Sequence, residues 1–269
     1  GCLEFLNSSH EWMPDIIVGT DWMTAYLTNF LKTDCRDYNR LKNIATVFSI
    51  HNLASQGTIR PHQFLTETER DDGYGSIPDF FSQRMQNINA MKRGIMYADI
   101  VNTVSPTYAE EITTEEYGEG LDSLLREKRG RLYGILNGID YETNDPATDS
   151  VLARNFTSRT LHLSEENKTA LQKRFGLPSI NQKTFVIGII SRLTRQKGFI
   201  LMQPIIDQFL KETGSQLVVV GTGDTEIMEF FQNLQNKFPE QIGLNLQFDE
   251  TIPHLLYAGC DVILIPSKF

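Results

Sequence analysis

The chain alternates short runs of aliphatic and β-branched residues with longer stretches whose apolar positions recur at helical spacing. This alternation restricts the possible folds more than any single motif does. PDIIVGT (14–20), ATVFSIH (45–51) and DIVNTVS (99–105) read as strands in the first half. FVIGIIS (185–191), QLVVVGTG (216–223), LNLQFD (244–249) and DVILIP (261–266) read as strands in the second. The spacing predicts helices over 21–32, 88–98, 167–178, 198–212, 224–238 and 252–259. Thr20 or Asp21 can cap the first of these, Ser105-Pro106 supplies an N-cap and an N1 proline to another that follows, and Gly176 and Pro178 close the one before them. Strand–helix alternation with nearly continuous apolar strands predicts an α/β fold of parallel sheets buried on both faces.

The stretch from Tyr141 to about Glu166 breaks this rhythm: it is polar, rich in Asn, Thr and Ser, and carries Pro146. The expected organisation is a Rossmann-like lobe over 1–145, a linker and helix over 146–182, and a second Rossmann-like lobe over 183–269. In such folds ligands bind at the carboxyl ends of the strands, and a cleft between lobes is the expected site. The 269 residues carry 25 basic and 34 acidic side chains, a net charge of −9, which argues against nucleic-acid binding. The longest aliphatic runs, such as 217–220 and 262–265, fall far short of the roughly 20 apolar residues that span a bilayer. No membrane partner is expected. The three cysteines form no C-x-x-C pair and the histidines no H-E-x-x-H, so neither a metal nor another cofactor is expected, and a reducing cytoplasm fits best.

The sharpest chemical signal is SRLTRQKG, 191–198, directly between a predicted strand and a predicted helix. Arg192 and Lys197 lie in this turn, where fixed cations near a helix N-terminus suit a diphosphate. The spacing alone fits solvated surface charges equally well. Asp21 and Trp22 stand together at another strand-to-helix turn. A carboxylate beside an indole suits a sugar, and it also fits a capping Asp next to a core Trp. His51 follows a strand, where a hydrogen-bonded structural role is the ordinary reading. Gly221-Thr222-Gly223 follows a strand too, but Glu226 stands where a dinucleotide fingerprint needs its third glycine. Phe248 offers either a stacking platform or a core residue at a strand end.

SRLTRQKG resembles the corresponding segment of bacterial glycogen synthases and plant starch synthases. DWMTA (21–25), SIHNLASQG (49–57), MKRGIMYAD (91–99), NTVSPTYAEEI (102–112), GILNGID (134–140) and FDETIPHLLYAGCDVILIPSKF (248–269) extend the resemblance, in the family's order, over nearly the whole chain. The resemblance implies a GT-B glycosyltransferase that transfers glucose from ADP-glucose, or UDP-glucose, to the non-reducing end of an α-1,4-glucan with retention. It implies that Arg192 and Lys197 hold the donor phosphates and assist departure of the nucleotide, and that His51 lies against the transferred glucose. It further implies that Phe248 packs on the adenine, that Gly221 and Gly223 turn the chain near the phosphates, and that Asp21, Trp22 and Asn137 serve glucose and acceptor. The family's K-x-G-G-L and E-P-C-G-L segments, the second with its active-site Glu, are not among these residues. Each lobe is accordingly expected to be incomplete, the chain to be truncated at both ends, and its activity in isolation to be slight. The alternatives are a non-catalytic nucleotide-sugar or glucan-binding fragment, or another GT-B glycosyltransferase.

Overall fold

The computed structural model describes residues 1–9, 12–60, 65–66, 68–179 and 183–267; the last two positions of the FDETIPHLLYAGCDVILIPSKF segment lie outside it. The chain divides into two compact units, Gly1–Gly138 and Ile139–Phe269. The first contains α1 (Cys2–Ser8), β1 (Ile16–Thr20), α2 (Asp21–Lys32), β2 (Ala45–Ile50), α3 (Gln83–Gln86), α4 (Ala90–Tyr97), β3 (Ile100–Thr103), α5 (Pro106–Glu111), α6 (Asp122–Glu127) and β4 (Leu132–Gly134). The second contains α7 (Ser164–Arg174), β5 (Val186–Ile190), α8 (Ile206–Thr213), β6 (Gln216–Val220), α9 (Thr225–Lys237), β7 (Ile242–Asn245), α10 (Ile252–Gly259) and β8 (Val262–Ile263). No helix among the described residues is long and apolar enough to cross a membrane.

Both sheets are parallel, but their strand orders differ, and order decides where the helices go. The first sheet runs β1-β2-β3-β4 in sequence order. Right-handed crossovers that always step the same way place every connecting helix on one face. Phe48, Ile50 and Val101 are buried on that face with Ala25 of α2 and Met91 and Ile95 of α4. The other face is open: Ile16 is 56% and Val18 62% exposed, and Ile100 and Tyr133 are exposed as well. The expectation of burial on both faces therefore fails for this sheet, because no described helix crosses to the second side.

The second sheet runs β7-β6-β5-β8. The chain steps from β5 to β6 to β7 and then returns across β5 to β8, so the crossover that contains α10 lies on the opposite face from α8 and α9. One side of β5 and β6 packs against Phe199, Leu210, Ile227 and Phe231, the other against Leu171, Ile252 and Leu256. All five residues of β6 are buried, as a sheet covered on both faces requires. The 141–166 stretch is tied down within this unit: Asp149 pairs with His254 of α10 at 2.6 Å, and Asn167 exchanges hydrogen bonds with the backbone of Arg154.

The helix expected over 198–212 is interrupted. A 3-10 turn covers Phe199–Leu201, and α8 begins only at Ile206, because Pro204 lacks the amide that a continuous helix needs. The strand expected over 244–249 ends at Asn245, whose side chain accepts the Gln247 N–H and turns the chain. Phe248 therefore stands in a loop. The final strand is only two residues long.

The long excursion after β2 is fastened by a buried ion pair. Arg93, fully buried in α4, makes a two-pronged contact with Asp71 at 2.8 and 2.9 Å and donates to the Gly75 carbonyl at 3.0 Å and to Asn29 of α2 at 3.1 Å. Asp71 also accepts the Gly73 and Asn89 amides. Burial pushes the Asp71 carboxyl up, but the Arg93 and backbone hydrogen bonds outweigh this and hold it below its ordinary 3.8. Its stabilising contribution is thus complete above about pH 5 and is lost as the pH falls through 3.8 toward the lower folded value. Arg93→Ala, which leaves a buried carboxylate uncompensated, should destabilise the first unit by about 3–5 kcal/mol in urea unfolding at neutral pH. A loss below about 1 kcal/mol would show that the excursion is anchored elsewhere.

Candidate functional site

The carboxyl edge of the first sheet gathers residues that are far apart in sequence. Asp21, at the first position of α2, sits with φ +52°, a strained left-handed conformation that Asp tolerates better than most residues. Its Oδ1 accepts the backbone N–H of His51 at 2.8 Å and that of Asn52 at 3.3 Å. The carboxylate thus bridges the end of β1 to the end of β2. The His51 ring is exposed, with Nε2 3.3 Å from Ser49 Oγ, which in turn accepts from Asn102 Nδ2 of β3 at 3.2 Å. Trp22 lies against Gly57: a Cβ on that glycine would fall 2.4 Å from the indole Cε3. Asp21, Trp22 and His51 therefore meet, and Gly57 joins them. Asn137 is exposed in the loop after β4.

In the second sheet the strand order reverses at β5, between β6 and β8. A reversal opens a crevice at the carboxyl ends of the strands, where α/β folds bind ligands. The loop that leaves β5 at this point is 191–198. Arg192 is exposed and Lys197 partly so, and neither side chain has an ion-pair or hydrogen-bond partner among the described residues. Arg195, between them, is instead paired with Glu226 at 2.7 Å. The loop is laid onto the turn after β6: Leu193 N–H donates to Thr222 O at 2.9 Å, and Asp224 N–H to Leu193 O at 2.8 Å. Gly221 and Gly223 permit this approach. A Cβ on Gly221 would stand 1.8 Å from the Ser191 carbonyl oxygen, and one on Gly223 2.4 Å from that of Leu193. Their absent side chains therefore make room for the cation-bearing loop.

Phe248 follows β7 on the same edge of this sheet, two strands from β5, and is 84% exposed. It borders a hollow of about 290 Å³ shared with Arg174, Asn245 and Asp249. Asp249 accepts from Thr251 Oγ1 and from the Thr251 and Ile252 amides, which starts α10 and holds its carboxyl below the ordinary value.

The comparisons agree with this architecture. A model described as the starch synthase catalytic domain matches residues 1–127. A glycogen synthase of Thermotoga maritima is 44% identical over 258 residues, which is 95% of this chain and 52% of that protein. One of Lacticaseibacillus casei is 41% identical over 265 residues, 96% of this chain and 53% of its own length. The catalytic domain of starch synthase IV from Arabidopsis thaliana, solved with ADP and acarbose, superposes with a TM-score of 0.79 at 34% identity, over 95% of this chain and 52% of that one. The chain is a relative of the glycogen and starch synthases. It spans about half the length of the curated relatives it matches. Anabaena HepE, solved with UDP and glucose, shares the fold at 15% identity, with a TM-score of 0.53 over 99% of this chain and 56% of its own. The two units are Rossmann-like lobes of the GT-B type.

Sequence reasoning singles out Asp21 and His51 but not the bond that joins them. It passed over Gln56, Asn89 and Asp71, which support the Gly57 turn, and Asp224. Polar residues in loops announce no partner by spacing. Gly57→Ala should be poorly tolerated, because its φ is +62° and its Cβ would enter the indole. The expected destabilisation is about 1–3 kcal/mol. In a Trp12→Phe background, where Trp22 is the remaining tryptophan, its emission should shift. An unchanged spectrum would mean that the indole is not seated on Gly57.

Proposed function

We propose that this chain forms part of a retaining glucosyltransferase that moves glucose from ADP-glucose to the non-reducing end of an α-1,4-glucan, as a glycogen or starch synthase does. The observation that carries this reading is the pair of cations, Arg192 and Lys197, without partners among the described residues, in a braced loop at the switch point of the second sheet. Unpaired cations held in advance of ligand binding stabilise negative charge as it develops, which is what departure of a nucleoside diphosphate requires. The kinship with starch synthase IV, solved with ADP and acarbose, supports an adenine nucleotide and an oligosaccharide as ligands.

In this mechanism the anomeric bond to the diphosphate breaks through an oxocarbenium-like state while Arg192 and Lys197 offset the charge on the leaving oxygens. The acceptor hydroxyl attacks from the same face, and a departing phosphate oxygen takes its proton, so the configuration is retained without a second carboxylate in the glycosidase sense. Asp21 accepts the His51 backbone N–H, so the His51 backbone is fixed at the end of β2. His51 serves the transferred glucose. Trp22, braced by Gly57, offers an apolar face to the acceptor, and Asn137 supplies an amide to glucose. Phe248 supplies a ring for the adenine. The cytoplasm is the compartment in which this soluble donor chemistry is expected.

The test is transfer from radiolabelled ADP-glucose to maltohexaose, with UDP-glucose in parallel. In the full-length protein Lys197→Ala should lower kcat at least about tenfold, with a smaller change in KM, as loss of a contact strengthened in the transition state predicts. An unchanged kcat would remove Lys197 from the chemistry, and transfer from UDP-glucose alone would replace the donor.

A further inference from the structure

Asp224 occupies the N-cap position of α9, yet its side chain makes no capping bond to its own helix. Its backbone carbonyl anchors the helix by accepting the Ile227 and Met228 amides at 3.1 and 3.0 Å. Its carboxylate turns to the neighbouring loop and accepts the Arg195 N–H at 3.3 Å, while its own N–H donates to the Leu193 carbonyl at 2.8 Å. An Asp that forgoes a cap worth about 1 kcal/mol is holding something else in place. What it holds is the midpoint between Arg192 and Lys197. The nearby Arg195–Glu226 ion pair is exposed at both ends and adds little to this restraint.

We propose that Asp224 is a positioning residue for the phosphate-binding loop, its carboxylate fixing the Arg195 amide so that Arg192 and Lys197 are presented at a set spacing. This role rests on the donor-phosphate reading of those two cations given above. It concerns the Arg195 backbone and not its side chain, and that distinction makes it testable. Thr194 is extended, with φ −119° and ψ 160°, and Arg195 opens a 3-10 turn. An extended residue before it and a first helical position both suit proline, so Arg195→Pro removes the amide donor with little strain.

The experiment is calorimetric titration of the 269-residue chain with ADP. Asp224→Ala should weaken binding about five- to tenfold, as loss of a charge-assisted hydrogen bond implies. Asp224→Asn, which keeps an acceptor oxygen, should stay within about twofold, and so should Arg195→Ala. Arg195→Pro should match Asp224→Ala, and the double variant should be no weaker than either single one. In amide exchange without ADP, Asp224→Ala should speed exchange over 193–198 and leave the centre of α9 protected. If Arg192→Ala and Lys197→Ala weaken binding while Asp224→Ala and Arg195→Pro do not, the positioning role is wrong and the donor site stands. Failure of the unsubstituted chain to bind ADP, or indifference of binding to Arg192 and Lys197, would overturn the donor reading and this role with it.

Discussion

The contact between Arg93 and Asp71 orders the first unit. Two buried opposite charges are tolerated only when nearly every donor and lone pair is used, and here the guanidinium reaches a carboxylate, an amide side chain and backbone carbonyls at once. The consequences run outward along bonded neighbours. Asp71 also holds the Asn89 amide; the Asn89 side chain caps α4 and donates to Gln56; and Gln56 precedes Gly57, on which Trp22 rests. Asn29 returns the connection to α2, the helix that carries Asp21 and Trp22. The edge that carries Asp21, Trp22 and His51 is thereby tied to a buried ion pair.

The two units solve the same packing problem differently. One-way strand order leaves the first sheet covered on one side, while reversal at β5 gives the second sheet two covered faces and a crevice. The basic loop emerges at that crevice, so topology, and not local charge alone, makes its cations candidates for a phosphate site. Glycines at 221 and 223 then let two loops lie in contact, and their value lies in the volume they leave empty.

Much of this was legible in the sequence, and the failures have physical causes. The limits of α2 and α10 agree with the helical spacing because a strand-to-helix turn and a proline near the N-terminus mark their starts. The 198–212 helix was misjudged because its apolar spacing continues through Pro204. Arg93 was unreadable: beside Lys92 it resembles a solvated pair, and its partner is 22 residues away in a polar loop. The candidate site residues stand out through family resemblance, whereas the bonds that join them do not. Asp21 suits either a sugar or a helix cap by its position in the sequence, and nothing there announces that one of its oxygens is engaged with the His51 and Asn52 backbone.

The uneven covering of the two sheets also bears on how such a chain can change over time. In β6 the residues from Leu217 to Val220 all face a core, so nearly every exchange there must preserve size and apolarity. In β1 the outward positions alternate with the inward ones, and within the described fold Ile16 and Val18 answer to no neighbour on their exposed side. Within the described fold, the constraint on exchange therefore falls on consecutive residues in β6 and on every second residue in β1.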